Sequence, residues 1–242
     1  GLQDDVPPDP FPPIRRIIGE ELGGTLEELF LELEEETAVG ASLGQVYHVR
    51  LPSGEPVMVK VQRPQIEGLV ATDLAALRWA VGWLKLYRPL SQRVDLDALL
   101  HEFSRTLYEE LDYVAEAHNA ERFAENFAPN PQVYIPKPFW SHTTKKVLAL
   151  EMVGGMKITD FQALTEAGIE RSVVAQRLFE TYLQQVFIDG FFHADPHPGN
   201  LFVHPLGDPP PPGDRSRDFQ LVFVDFGMVG RLPPEVKEQL RE

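Results

Sequence analysis

Apolar and polar residues alternate through SLGQVYHVRL and PVMVKVQ, the period of two that predicts β-strands, and the intervening PSGE predicts an antiparallel hairpin. Beyond Pro64 the period lengthens, and the chain reads as helix to about Asn126 with a break near Arg88, Pro89 and Ser91. QVYIPKPFW is extended, KVLALEMV reads as a strand, and GGMKI as a turn leading away from it. Apolar residues at Val174, Leu178, Leu183, Val186 and Phe187 predict a buried amphipathic helix from Arg171 to Phe187, ended by Gly190. LFVHP and LVFVDF read as two further strands around the loop LGDPPPPGDRSRD, which is too rich in proline to pack. Upstream, residues 1–13 form a Pro-rich lead-in, and IRRIIGEELGG is a short helix stopped by paired glycines. No internal repeat is present, and the order of elements predicts a mixed α+β protein with a cleft between two lobes.

One position breaks the pattern. A helix from Leu96 to Ala117 would carry the stripe Leu96, Leu99, Phe103, Leu107, Glu110, Val114 and Ala117, which places a carboxylate among apolar neighbours. Such a group costs several kcal/mol unless a cation or hydrogen-bond donors meet it. Lys60, between Val59 and Val61 in a strand, is the candidate partner. The plainer alternatives are a small helix rotation that lets Glu110 reach solvent and a lysine on the wet face of an edge strand. A strand lysine held by a helix glutamate is the arrangement by which protein kinases place a cation on the α- and β-phosphates of ATP.

Other segments follow the same order. VGASLGQV keeps Gly44 and Val46 of the kinase pattern G-x-G-x-x-G-x-V but has Val39 and Ala41 in place of the first two glycines. Its turn, Gly40, Ala41, Ser42 and Leu43, is expected to present backbone N–H groups to an anion. In ALEMVGG, Glu151 and Val153 would meet adenine through the main chain, with Leu150 behind them. HADPHPGN fits H-x-D-x-x-x-x-N, giving Asp195 the task of orienting or deprotonating the attacking group and Asn200 that of binding metal. VDFG supplies Asp225, a hard oxygen ligand suited to Mg²⁺. A competing reading takes His193, Asp195 and His197 as ligands of a hydrolytic metal, but leaves Lys60, Glu110 and the adenine-facing strand without a role. His204 reads as a surface residue.

Composition narrows the partners. Asp and Glu outnumber Lys and Arg by 37 to 22, a formal charge of -15 that repels phosphate backbones and argues against nucleic acid. Without cysteine there is no disulfide, zinc-thiolate site or thiol nucleophile, and a reducing interior is expected. The longest apolar segment is interrupted by Asp73, Arg78 and Lys85, so no membrane span is predicted, and the polar, Pro-rich start is no signal peptide. A chain that begins at Gly1 and ends within a helical pattern is expected to be a fragment.

LQDDVPP, GASLGQVYHVRLPSGEPVMVKVQRP, EELDYVAEAHNAERF, HADPHPGNLFV and VDFG together resemble the UbiB (AarF-like) family of atypical kinases over nearly the whole chain. The resemblance implies a two-lobed protein-kinase-like fold: an extension over residues 1–36, a small antiparallel-sheet N lobe with inserted helices over 37–152, and a mainly helical C lobe over 153–242. It implies binding of ATP or ADP with Mg²⁺, and ATPase or small-molecule kinase activity more readily than protein phosphorylation. It also implies support of coenzyme Q-like prenylquinone or lipid metabolism, with membrane lipid or prenylquinone-pathway proteins as partners. The setting is a cytoplasmic or organelle interior, with membrane association of the full-length protein. Within it, Lys60 pairs with Glu110, Asp112 completes an E-x-D element, and Glu116 meets a lysine of an upstream K-x-G-Q segment. Without the resemblance, Asp112 and Glu116 read as a like-charged pair on a solvated face.

This sequence departs from the family pattern in lacking K-x-G-Q and in having Gly40 where alanine is usual, an exchange expected to loosen nucleotide selectivity. Ala194 also replaces the arginine that ordinary kinases use to sense activation-loop phosphorylation, and no A-P-E follows the D-F-G. A nucleotide-gated binding module with little chemistry and an aminoglycoside- or choline-type kinase remain as alternatives.

Overall fold

A computed structural model describes residues 9–40, 43–86, 93–208 and 216–239. The chain divides into two compact units, Gly1–Ala115 with Phe139–Ala149, and Glu116–Pro138 with Leu150–Glu242.

The first unit is built around the expected hairpin. Strands β2 (Gly44–Arg50) and β3 (Pro56–Gln62) pair antiparallel from Gly44 opposite Gln62 to Arg50 opposite Pro56, which sets Val46 against Lys60. Alternation sends Val57, Val59 and Val61 into the core, each fully buried and contributing about 1.5–3 kcal/mol. Helix α1 (Phe11–Leu22) covers that face with Ile14 and Ile18 and ends at Gly23, whose φ of 74° is the left-handed cap conformation. A single turn, α2 (Leu26–Leu29), follows behind a Thr25/Glu28 capping box.

Strand β1 (Glu32–Gly40) then pairs with β2. The acidic stretch that the sequence assigns to an extension is therefore sheet from Glu32 onward. Leu33 packs against the core while Glu32 and Glu34 carry charge, a period of two that the glutamates disguise. Across the sheet the order is β1-β2-β3-β5, the last being Val147–Glu151.

Helix α3 (Ile66–Leu84) buries only its first half, through Ile66, Val70 and Leu74 against Leu111. Trp79 and Trp83 in its second half are 72% and 63% exposed. No described helix is long and apolar enough to cross a membrane. The expected break at Arg88, Pro89 and Ser91 lies outside the described residues. The single helix expected over 96–117 is two, α4 (Leu96–Glu110) and α5 (Tyr113–Phe127).

The second unit contains a sheet ordered β4-β9-β8-β6, in which β8 (Leu201–Pro205) and β9 (Phe219–Phe223) form the expected late hairpin. Its partners are β4 (Val133–Tyr134), parallel to β9, and β6 (Met156–Lys157), antiparallel to β8. A separate ribbon pairs β7 (Phe191–His193) with β10 (Val229–Arg231). Phe123, Phe127, Phe191, Phe219, Phe223 and Phe226 fill the core beside helices α6 (Phe161–Glu166) and α7 (Arg171–Leu183), and α8 (Pro234–Gln239) is the last element described.

The buried helix expected from Arg171 to Phe187 differs at its end. After Leu183 the chain forms a π-helical turn, Gln184–Asp189, closed by Gly190 at φ 65°. The wider turn rotates the stripe, so Leu183 and Phe187 are 39% and 37% exposed while Gln185 is fully buried.

Candidate active site

The HADPHPGN segment links β7 to β8. The Ala194 N–H donates to Met228 O, fixing the start of the loop on the ribbon, and a 3₁₀ turn at Pro198–Asn200 closes it. His197 caps that turn, its Nδ1 accepting the Gly199 N–H at 3.1 Å. The turn brings Asn200 back to Asp195, and the Asn200 Nδ2 donates to Asp195 Oδ2 at 3.0 Å. Asn200 O accepts from Val224 N at 3.0 Å, which sets Asp225 beside it.

Asp225 has φ 66°, one of two non-glycine residues with positive φ among those described. That backbone conformation costs of order 1–3 kcal/mol and persists only where surrounding bonds fix it. Its carbonyl accepts from His193 Nε2 at 2.7 Å, and its Oδ1 accepts from Gly227 N at 3.3 Å. His193 is only 2% exposed and lies among the rings of Phe123, Phe223 and Phe226.

The next residue, Phe226, is gripped from α5. Glu116 Oε1 accepts its N–H at 3.3 Å, and Asn119 Nδ2 donates to its carbonyl at 3.0 Å. Glu116 is 2% exposed, which corrects the solvated-face reading made from spacing alone. Asp112 is not on an open face either; its Oδ1 caps α5 by accepting from Val114 N and Ala115 N.

Glu151 is anchored through both its backbone and its side chain. Its N–H donates to Lys137 O at 2.8 Å, and its Oε2 accepts from the Tyr134 hydroxyl at 2.6 Å. Burial, reinforced by that carboxylate, pushes the Tyr134 hydroxyl up to about 12. With its N–H already bonded, the main-chain role expected for Glu151 narrows to its carbonyl. Val153, two residues on, is half-buried.

In the first unit, Lys60 is half-buried, its Nζ 5.0 Å from the centroid of the Tyr113 ring. Tyr113 is fully buried and approaches Gly44 so closely that a Cβ there would stand 2.4 Å from its hydroxyl. Gln62, two residues after Lys60, donates to the carbonyls of Leu111 and Lys145 at 2.5 and 3.0 Å and so holds the break between α4 and α5 against β3.

Because α4 ends at Glu110, the apolar stripe inferred around that residue does not form. Leu99 and Phe103 are 60% and 47% exposed, and Glu110 is half-buried at the helix terminus. In the turn expected to face the phosphates, Gly40 pairs with Gln45 at the end of β1 and Leu43 packs near α3, while Ala41 and Ser42 lie outside the described residues.

The hydrolytic-metal alternative finds no geometry. Among the described residues no group of three or more His, Asp or Glu could hold an ion, and His193 Nε2 is taken by a backbone carbonyl. The buried amides Gln62 and Gln185, the half-buried Asn119 and the buried Tyr182 hydroxyl were not singled out by sequence. Within a single chain, nothing separates such side chains from ordinary surface polar residues.

The family described as ABC1 atypical kinase-like domain matches residues 1–242. The chain is similar to a probable protein kinase UbiB of Marinobacter nauticus, 38% identical over 239 residues that make up 99% of this chain and 42% of that protein. It spans less than half the length of the curated relatives it matches. Among solved structures, Rv3197 of Mycobacterium tuberculosis in complex with erythromycin superposes with a TM-score of 0.68 at 28% identity, over 94% of this chain and 54% of that one. The Rio2 kinase of Chaetomium thermophilum, in its ADP/Mg²⁺-phosphoaspartate complex, gives a TM-score of 0.51 at 11% identity over 87% and 52%, a likeness of fold alone. With its α+β architecture, its H-x-D-x-x-x-x-N turn and its D-F-G, the chain belongs to the ABC1 atypical kinase-like family.

Proposed function

We propose that this chain binds ATP or ADP with Mg²⁺ and, within its full-length protein, works as an atypical kinase or ATPase in prenylquinone or lipid metabolism near a membrane. The observation that carries the reading is the Asn200–Asp195 hydrogen bond with Asp225 held beside it. Because the Asn200 amide nitrogen faces Asp195, its amide oxygen is the atom left for a hard cation, and the Asp225 carboxylate completes an oxygen donor set suited to Mg²⁺. Bound Mg²⁺ supplies charge neutralisation at the phosphates. Asp195 orients the attacking hydroxyl or water and takes its proton as the terminal phosphoryl group leaves the nucleotide. Lys60 is assigned to the α- and β-phosphates with Glu110 as its ion-pair partner, the turn from Gly40 to Val46 to the phosphate backbone, and Glu151 and Val153 to adenine. Glu116 and Asn119 keep Phe226, and with it the Asp225 turn, in place.

Calorimetric titration of MgATP and MgADP into the wild-type chain and into Lys60→Met, with a chelator arm, tests the proposal. Binding is expected in the wild type, at least tenfold weaker in Lys60→Met and abolished by chelation, a tenfold loss being about 1.4 kcal/mol. Equal heats in all three arms would remove it. Phosphate release with and without lipid vesicles then separates turnover from binding alone.

A further inference from the structure

The π-helical turn places an amide where an apolar stripe would continue. Gln185 is fully buried, and its Oε1 accepts the His193 backbone N–H at 2.9 Å. Among the described residues strand β7 pairs only with β10, so the His193 N–H on its other edge faces no described strand, and the Gln185 side chain substitutes for one. His193 in turn donates from Nε2 to the carbonyl of Asp225, the residue held at φ 66°. These contacts form one connected path from a helical side chain to a strained backbone, and π turns of this kind recur at functional sites.

With Oε1 committed to a donor, the orientation of the amide is fixed, and among the described residues Gln185 Nε2, His193 Nδ1 and the Tyr182 hydroxyl are buried without a partner. An unsatisfied buried group costs about 1–3 kcal/mol, and an apolar side chain at 185 would remove the unpaired Nε2 only by leaving the His193 N–H unpaired in its place. What the amide does there is hold the His193 backbone from its open edge.

We infer that Gln185 is a positioning residue: by fixing His193, it holds the Asp225 turn in the left-handed conformation that presents its carboxylate to metal. The metal part rests on the function proposed above; the positioning part does not.

Gln185→Met matches the side chain in length and removes only the amide, whereas Gln185→Glu keeps an acceptor for the His193 N–H. Solvent exchange of the His193 Nε2 proton and backbone amide, followed by NMR on ¹⁵N-labelled protein, reads the positioning directly. Both are expected to be protected in the wild type and in Gln185→Glu, and to exchange at least about tenfold faster in Gln185→Met. The Mg²⁺ concentration that half-saturates nucleotide binding should rise about tenfold in Gln185→Met and stay within about threefold in Gln185→Glu, the scale usual for residues supporting a metal ligand. Unprotected wild-type protons, unchanged exchange in Gln185→Met, or a Glu variant as impaired as the Met variant would overturn the inference. If the wild type binds no Mg-nucleotide, the assignment of Asp225 to metal falls, and the exchange rates still decide what Gln185 positions.

Discussion

Asn200 reaches back across a single 3₁₀ turn to place its amide nitrogen 3.0 Å from the Asp195 carboxylate. The contact explains the spacing of the motif, because only that turn, capped by His197, folds the two side chains together. Asn200→Asp would set one carboxylate against another, so that one of them must keep a proton or turn away. A carboxyl whose folded pKa rises above its unfolded value stabilises the fold below the unfolded pKa and loses that contribution as pH climbs through the folded one. The variant should therefore fall further below wild type at pH 8 than at pH 5, measured by urea midpoints. An equal gap at both pH values would show that the two side chains are not in contact.

Asp225 offers a cleaner separation of folding from function. Asparagine tolerates the left-handed region as readily as aspartate, so Asp225→Asn should leave the turn and the melting temperature nearly intact. Mg-nucleotide at a hundred times its dissociation constant should stabilise the wild type by about 2.7 kcal/mol and the variant hardly at all. The thermal shift with MgADP is the measurement, and an unchanged shift would exclude this carboxylate from metal binding.

Gly44 is required for space and not for its φ. A Cβ there would lie 2.4 Å from the Tyr113 hydroxyl and 2.8 Å from Val61 O, and the strand carbonyl cannot move without disturbing the pairing with β3. Gly44→Ala should destabilise the protein by about 1–3 kcal/mol, the usual cost of overpacking. Gly54→Ala makes a useful contrast, since nothing stands within 4 Å of its Cβ and any loss there comes from a φ of 92° alone. Urea denaturation of the two variants reads both.

Two tyrosines predict the alkaline limb of stability. Burial, aided by the Glu151 bond, raises Tyr134 to about 12, and burial, aided by the Asp195 charge, raises Tyr182 to about 12. Between pH 10 and 12 the unfolded phenols ionise while the folded ones keep their protons. The unfolded state then binds fewer protons, and stability declines through that window. Tyr134→Phe should make the decline shallower, as judged by denaturant midpoints at pH 9.5 and 11.5; an unchanged slope would contradict the bond to Glu151.

The elements that sequence revealed are those whose period survives in single residues. The β2–β3 hairpin and the β8–β9 pair were legible because their valines and leucines alternate, and Asp195, Asn200 and Asp225 because short turns hold them together. Strand β1 was hidden by glutamates on its open face, although Leu33 keeps the inward register. The apolar stripe through Glu110 failed because Asp112 caps a new helix there, and a cap inside a helical pattern leaves the spacing of apolar residues unchanged. Gln62, Asn119 and Gln185 escaped for a related reason. Each is a polar side chain whose partner is a backbone group in another element, at Leu111, Phe226 and His193.

The outward-facing second half of α3 also decides what light can report. The three tryptophans, Trp79, Trp83 and Trp140, are 72%, 63% and 40% exposed, whereas the cores of both units are lined by phenylalanine, tyrosine and aliphatic residues. Indole emission from the native chain therefore starts close to the red limit of solvated tryptophan. Loss of the core changes its colour little, and a blue shift signals that something has settled over the α3 surface or over Trp140.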